Sequence, residues 1–176
     1  MGRIEELERK VTILTRLAET SAVLNSTMRL KPLLSSIMDT AADIVDAEAA
    51  SVLLWDYKKQ ELVFAATTTG DSNGQALIGK QVPLEGSIAG TVMRENRIVA
   101  VGNIRTTTVY YSKIDEQIAF QTRSVLGVPM RSRNRIIGVL EAVNRRNETW
   151  TEDDGYYLSV LAAQAAVAIE GAQLVT

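Results

Sequence analysis

Ser124-Val125-Leu126-Gly127-Val128-Pro129-Met130 and Ile136-Ile137-Gly138-Val139-Leu140-Glu141-Ala142-Val143 are two almost unbroken apolar runs, joined across Ser132-Arg133-Asn134-Arg135. A strand with one wet face alternates apolar and polar side chains, whereas a strand covered on both faces does not. These runs therefore read as strands at the centre of a sheet. Upstream, Ser51-Val52-Leu53-Leu54-Trp55-Asp56 and Leu62-Val63-Phe64-Ala65-Ala66 flank Tyr57-Lys58-Lys59-Gln60 and read as a hairpin, the period turning to two from Ala49. Ile98-Val99-Ala100-Val101 adds a short strand. Pro83-Leu84-Glu85-Gly86 leads into a short helix over 87–93. Residues 68–80 and 103–108 read as loops, and 110–119 has room for one or two helical turns.

The chain ends are helical. Over residues 3–28, Ile4, Leu7, Val11 and Leu14 recur at alternating spacings of three and four, with Glu5, Glu6, Glu8, Arg9 and Lys10 between them. That is two heptads of a narrow apolar seam. Either this helix lies on its own domain or it pairs with a second copy. The narrow seam and charged flanks favour pairing, with help from other contacts because two heptads do not pair alone. Asn25-Ser26-Thr27 interrupts the pattern, and Leu30-Lys31-Pro32 restarts a helix with proline in its first turn. Leu33, Leu34, Ile37, Met38, Ala41, Ile44 and Val45 then form a wide core-facing stripe. The last helix opens at Thr151-Glu152-Asp153-Asp154, a hydroxyl cap followed by an acidic first turn. Its stripe of Leu158, Leu161, Ala162, Ala165, Ala168, Ile169 and Ala172 is mostly small and lets another helix approach closely, either the N-terminal one or a symmetry mate. Ile4, Leu7, Val11, Leu14, Leu161, Ala165 and Ala168 are the expected interface of a homodimer. Antiparallel strands with helices gathered at the chain ends give an α+β fold with helices stacked on one sheet face. The division expected is an N-terminal helix over 1–28 and a domain over 29–176.

Composition narrows the chemistry. The 176 residues, 46% hydrophobic and 23% charged, suit one globular domain large enough for its own core. A net charge of −2 and only 5% aromatic residues speak against a nucleic-acid partner or an acidic membrane surface. There is no cysteine, which removes thiol catalysis, disulfides, thiolate metal sites and thioether-linked chromophores. Histidine is absent too, and with it the commonest general base, metal ligand and proximal haem ligand. The first residues, Met1-Gly2-Arg3-Ile4-Glu5-Glu6, hold no apolar run of the signal-peptide kind. The longest uncharged stretch, 155–169, falls short of the roughly 20 residues a membrane span needs. A cytoplasmic location is expected.

Several motifs look suggestive and fail. Gly74-Gln75-Ala76-Leu77-Ile78-Gly79-Lys80-Gln81 lacks the Ser/Thr of a phosphate loop, and Val82-Pro83 follows where a helix should begin. Gly86-Ser87-Ile88-Ala89-Gly90 misplaces its serine for a nucleophile elbow and has no histidine to activate it. Glu152, Asp153 and Asp154 suit a helix N-terminus better than a metal. Asp115 and Glu116, adjacent in sequence, do not share a helix face. No catalytic residue and no metal site is expected.

Ala50-Ser51-Val52-Leu53-Leu54-Trp55-Asp56, Glu85-Gly86-Ser87-Ile88-Ala89-Gly90, Leu126-Gly127-Val128-Pro129-Met130 and Ile137-Gly138-Val139-Leu140-Glu141 follow one another in an order and spacing that resembles a GAF domain from about residue 33 to 172. The resemblance implies a six-stranded antiparallel sheet, with the N- and C-terminal helices packed on one face and a ligand pocket on the other. It also implies a sensory module, dimerised through its terminal helices, with an effector domain (kinase, cyclase, phosphodiesterase or transcription activator) in the parent chain. Family members that hold bilin covalently, bind haem, or reduce free methionine sulfoxide need cysteine or histidine, so no covalent cofactor is expected. A small molecule remains, with a cyclic nucleotide, cGMP or cAMP, as the leading candidate. Cyclic-nucleotide-binding members carry Asn-Lys, an aromatic residue, then Asp-Glu. Here Asn144-Arg145, Trp150 and Asp154 resemble that signature, with Arg145 in place of Lys and Gly155 in place of Glu. A structural salt bridge between Arg145 and Asp154 is therefore implied. By the same resemblance Ser51, Ile88, Ala89, Tyr111, Asp115 and Thr122 contact the ligand. Backbone N–H groups at the start of the short helix suit a phosphate, and Asp115 and Thr122 suit a base edge. Closure of the loop around 103–122 would then shift the terminal helices.

Overall fold

The structure, a computed structural model, describes residues 2–26, 29–68, 78–102, 123–146 and 149–175. Its elements run α1 (Arg3–Ser26), α2 (Leu30–Ile44), β1 (Ala47–Asp56), β2 (Glu61–Thr67), β3 (Gln81–Val82), α3 (Ile88–Glu95), β4 (Val99–Val101), β5 (Val125–Ser132), β6 (Arg135–Arg145) and α4 (Glu152–Val175). The strands form one sheet in the order β3-β2-β1-β6-β5-β4, and every neighbouring pair is antiparallel.

Local chemistry makes the two hairpins. Asp56 Oδ1 accepts the N–H groups of Lys58 and Lys59 at 2.9 and 3.1 Å and bends the chain between β1 and β2. Between β5 and β6, Arg133 and Asn134 both adopt positive φ, 52° and 69°. A two-residue turn of that kind matches the right-handed twist of its strands. The centre of the sheet is not this second hairpin, as its apolarity suggested, but the pair β1–β6. β5 has only the three-residue β4 beyond it and is buried because helices cover it from both sides. The period of two expected from Ala49 holds for β2, whose residues alternate between half-buried and buried, but not for β1, which is buried continuously from Ala49 to Leu54.

The two faces of the sheet are packed differently. On one face α1, α2 and α4 meet Ala50, Val52, Leu126, Val128, Met130, Leu140 and Ala142 in the larger core. On the other, α3 meets Leu53, Phe64, Val99, Val101, Val125 and Val139 in a smaller one. α1 and α2 run antiparallel, since Arg16 Nε approaches Asp43 Oδ2 at 3.4 Å and the Thr20 and Thr40 hydroxyls bond at 3.2 Å. The far end of α4 is fastened to the β5–β6 turn through Glu170, which accepts from Ser132 Oγ at 2.9 Å and Arg135 Nη2 at 3.0 Å.

Two expectations about the helices change. α1 does lie on its own domain, but through Ile13, Leu17, Thr20 and Leu24, a face the sequence reading did not single out. The seam it did single out, Ile4, Leu7, Val11 and Leu14, is 73, 51, 64 and 52% exposed. It lies roughly 130° around the helix from the buried face at about 100° per residue. Leu161 and Ala165, expected between two copies, are completely enclosed within this chain's own core, and Ala168 is half-buried against it. Small side chains on α4 bring it close to the sheet and to α1 and α2, so these positions are not free to meet a second copy. The boundary at 28/29 thus separates two helices that share one core. Leu17→Ala should lower the unfolding free energy by about 2–4 kcal/mol, read as a fall in the urea midpoint that does not depend on protein concentration.

Candidate ligand site

The face covered by α3 carries the polar positions. Ser87 caps this helix, its Oγ accepting the Gly90 N–H at 2.9 Å, and Asn96 ends it in the left-handed conformation at φ 52°. Gly90 is required where the helix rests on the preceding chain: a Cβ there would lie 2.3 Å from Leu84 O and 2.5 Å from Pro83 O. Gly127 is the matching gap in the sheet, where a Cβ would meet Val92 Cγ2 at 3.0 Å and Ile88 Cγ2 at 3.5 Å. The helix therefore sits low over β5. Glu141 flanks the same gap, its Cγ 3.9 Å from that Cβ position.

Register sets out the floor beneath α3. Thr67 pairs with Ser51, Ser51 with Glu141, Glu141 with Gly127 and Gly127 with Val99, one transverse row across five strands. Apolar rows border it: Phe64, Leu53, Val139 and Pro129 on one side, Ala49, Val143, Val125 and Val101 on the other. Ser51 Oγ donates to Thr67 Oγ1 at 3.2 Å. Glu141 is 3% exposed, a carboxyl group set into an otherwise apolar strand. The sequence reading did not assign it a role. Its signal was visible as the one acidic residue in the run 136–143.

A second polar cluster lies where β6 ends. Asn144, fully buried with φ 59°, accepts the N–H groups of Arg123 and Ser124 on Oδ1 at 2.6 and 3.1 Å and donates from Nδ2 to Glu48 Oε1 at 3.2 Å. Arg123 Nη2 reaches Glu48 Oε2 at 2.8 Å. The bond from Arg123 pulls the Glu48 carboxyl below its ordinary pKa, partial burial opposes this, and Asn144 adds to the lowering. Next in sequence, Arg145 Nε lies 2.8 Å from Asp154 Oδ2, with side chains 12 and 3% exposed. Asp154 also accepts the Thr151 N–H at 2.9 Å, while Thr151 Oγ1 accepts the Asp154 N–H at 3.1 Å. This reciprocal cap starts α4 and ties it to the end of β6 through one carboxylate. Trp150 lies beside it, half-buried.

Of the residues expected at a ligand, Ser51, Ile88 and Ala89 share the α3 face of the sheet, and Arg145 and Asp154 are in contact. Tyr111, Asp115 and Thr122 lie outside the described residues. Ile88 and Ala89 are wholly enclosed and pack as core with Leu53, Phe64 and Val125. Among the described residues no acceptor meets their N–H groups, whereas Gly90 and Thr91 donate to Ser87. No group of three or more acidic, cysteine or histidine side chains among the described residues could hold a metal ion. None of the described helices is long and apolar enough to cross a membrane.

A family model described as GAF domain matches residues 29–169. The chain belongs to the GAF domain family. A probable 3',5'-cyclic phosphodiesterase of Caenorhabditis elegans, pde-5, is 24% identical over 162 residues, 87% of this chain and 22% of that protein. This GAF domain thus spans about a fifth of that relative. Among solved structures, the GAF domain of an Acinetobacter phosphoenolpyruvate-protein phosphotransferase superposes with a TM-score of 0.74 at 22% identity, covering 100% of this chain and 98% of that one. The GAF domain of a two-component sensor histidine kinase from Bacillus halodurans does so with a TM-score of 0.71 at 21% identity, covering 85 and 99%. At these identities the likeness to the solved structures is one of fold.

Four substitutions probe this geometry. Asp154→Ala leaves the Arg145 guanidinium buried without its carboxylate and should cost about 3 kcal/mol, against about 1 kcal/mol for Thr151→Ala, both measured by urea unfolding. For Glu48 the folded-state pKa is the lower one, so its contribution is present above the unfolded value and fades as pH falls through the folded one. Glu48→Gln should therefore flatten the loss of stability below about pH 4.5. Gly90→Ala gains helix propensity but forces a Cβ into backbone oxygens, so a net loss of about 1–3 kcal/mol is expected.

Proposed function

We propose that this GAF domain is a non-catalytic sensory module of a signal-transduction protein, that its ligand seats on the α3 face of the sheet, and that occupancy reaches an output domain through α1 and α4 of a homodimer. The observation that carries the ligand reading is the buried carboxyl of Glu141, set beside Ser51 on the face opposite the terminal helices. A polar row inside an apolar face costs stability, and recognition of a small molecule is the use that offsets it.

Cyclic nucleotide is the leading ligand class, cGMP ahead of cAMP. As a carboxylate, Glu141 only accepts hydrogen bonds. That suits guanine, whose N1–H and N2 amino group both donate, better than adenine, whose corresponding edge presents one donor and one acceptor. The N–H groups of Ile88 and Ala89 at the start of α3 suit the cyclic phosphate. Arg145, Trp150 and Asp154 stand in the order of the cyclic-nucleotide signature, and the pde-5 relative supports the same class. Tyr111, Asp115 and Thr122 belong to this proposal through the resemblance alone. The parent chain would supply the output domain, and a coupling of about 1–3 kcal/mol between pocket and output is enough for regulation.

The second reading, a ligand-free pairing module, draws on a different observation. Ile4, Leu7, Val11 and Leu14 on α1, and Tyr156 and Val167 on α4, at 62 and 61% exposure, present apolar side chains to solvent. Calorimetry separates the two. The sensor reading expects cGMP to bind more tightly than cAMP, and Glu141→Gln or Asp115→Ala to weaken cGMP about tenfold or more. A flat titration with both nucleotides up to about 1 mM, with an unmoved Tm, would leave the pairing module. For the dimer, Leu7→Glu with Leu14→Glu should sediment as a monomer, and an unchanged sedimentation coefficient ends that proposal.

A further inference from the structure

Antiparallel pairing sets the end of β1 beside the start of β6, so both hairpin turns stand at the same end of the sheet. They touch there. The Tyr57 hydroxyl donates to Ile136 O at 3.4 Å, and the Arg135 guanidinium lies 4.8 Å from the centre of the Tyr57 ring. Five cations from two distant stretches of sequence, Lys58, Lys59, Arg131, Arg133 and Arg135, are thereby gathered, and all are exposed. Three acids lie among them. Asp56 accepts the N–H groups of Lys58 and Lys59, Glu61 pairs across from Asp56 in the strand register, and Glu170 holds Ser132 and Arg135. Five against three is a positive surplus, in a chain whose net charge is −2.

Arg133 stands at the tip at a cost. It takes φ 52° in the turn, with Asn134 at 69°. Glycine, asparagine and aspartate reach this region most readily, and a long side chain is uncommon there. Nothing within the described residues returns that cost. The Arg133 side chain is 87% exposed, and Glu170 approaches it only to 4.0 Å. A cation displayed in this way points to an anion from outside the chain. The opposite end of the sheet, where β1 begins, has the reverse character: Asp39, Asp43, Asp46 and Glu48 surround one cleft with Arg146. An anionic partner is therefore steered toward the hairpin end.

We propose that the two hairpin tips form a docking surface for an acidic peptide segment of a partner protein. Carboxylates suit the surface better than a phosphate backbone does. Aspartate and glutamate side chains meet guanidinium groups through paired N–H···O bonds, and a peptide can space them to miss Asp56 and Glu61. A nucleic acid, charged at every residue, would run over those two acids. A bound segment would compete with Glu170 for Arg135 and so act on the far end of α4. The surface uses neither α3 nor the Ser51–Glu141 row, so it stands or falls separately from cyclic-nucleotide binding.

The test is a titration of the ¹⁵N-labelled protein with an octaglutamate peptide, followed at the backbone amides of both turns and at the arginine Nε–H resonances. At about 0.05 M salt the peptide should bind with Kd of about 0.1 mM, its shifts centred on the two tips. Raising the salt to about 0.3 M should weaken it about fivefold through screening. Arg133→Asn should weaken binding about threefold with a urea midpoint no lower than that of the unaltered protein, because asparagine accepts positive φ. Arg3→Gln, the same loss of charge at the start of α1, should leave the affinity unchanged. Lys58→Glu with Lys59→Glu, at exposed positions, should weaken binding about tenfold. Shifts centred elsewhere, undiminished binding in either tip variant, or an equal loss in Arg3→Gln overturns the proposal. So does tighter binding of octathymidylate or of phosphatidylserine vesicles than of the peptide. Salt-sensitive self-association of the protein alone, abolished by Arg133→Asn, would make the occupant the acidic end of a second copy and overturn it too.

Discussion

The antiparallel pairing of β1 with β6 is the contact on which the rest of the molecule depends. It runs from Ala47 opposite Arg145 to Leu54 opposite Gly138 and joins segments that are far apart in sequence. Each partner brings its hairpin mate, β2 on one side and β5 on the other, so one non-local zipper assembles four of the six strands. It also brings the two ends of the chain onto a common face, because α2 leads into β1 and α4 follows β6. Such long-range closure carries the loop entropy of the whole fold, and the buried side chains on both faces of β1 and β6 offset it.

At one end of this zipper the backbone turns sharply, and polar groups define the turn. Asn144 holds a left-handed conformation and satisfies two N–H groups at the start of β5 while bonding to Glu48 on β1. Arg145 then passes the connection to Asp154, which caps the last helix. Three strand ends and a helix start are thus joined by Asn144, Arg145 and Asp154, which are largely or wholly buried, and by the more exposed Glu48. Buried polar networks of this kind contribute definition more than net stability, since each member is costly when its partner is lost. On the proposed sensory reading, a fixed angle between sheet and terminal helix is the useful property.

The two faces divide the work. Beneath α1, α2 and α4 the sheet is mostly apolar, Ser132 bonding Glu170 at the far end of α4, and alanines on α4 let the helix layer sit close. Beneath α3 a polar row interrupts the apolar floor, and Gly127 leaves the gap into which Ile88 and Val92 pack. On the proposed reading, a ligand on the second face and an output on the first are separated by a single sheet.

Much of this was legible in the sequence. Periodicity and capping chemistry are local, so the helices, the hairpins, the α+β class and the Thr151–Asp154 cap could be read from residues alone. The absence of cysteine and histidine likewise bounded the chemistry before any fold was known. Facing and register are not local, and there the tertiary structure decided. The neat heptad seam at Ile4, Leu7, Val11 and Leu14 points to solvent, while Ile13, Leu17 and Leu24 meet the domain. A helix cannot reveal which of two apolar stripes its neighbours will cover. Leu161 and Ala165 are interior because α1 and α2 happen to close over them. Glu141 is a lone acid in an apolar run by sequence, and becomes the centre of a polar floor only once β1 and β5 align Ser51 and Gly127 on either side of it.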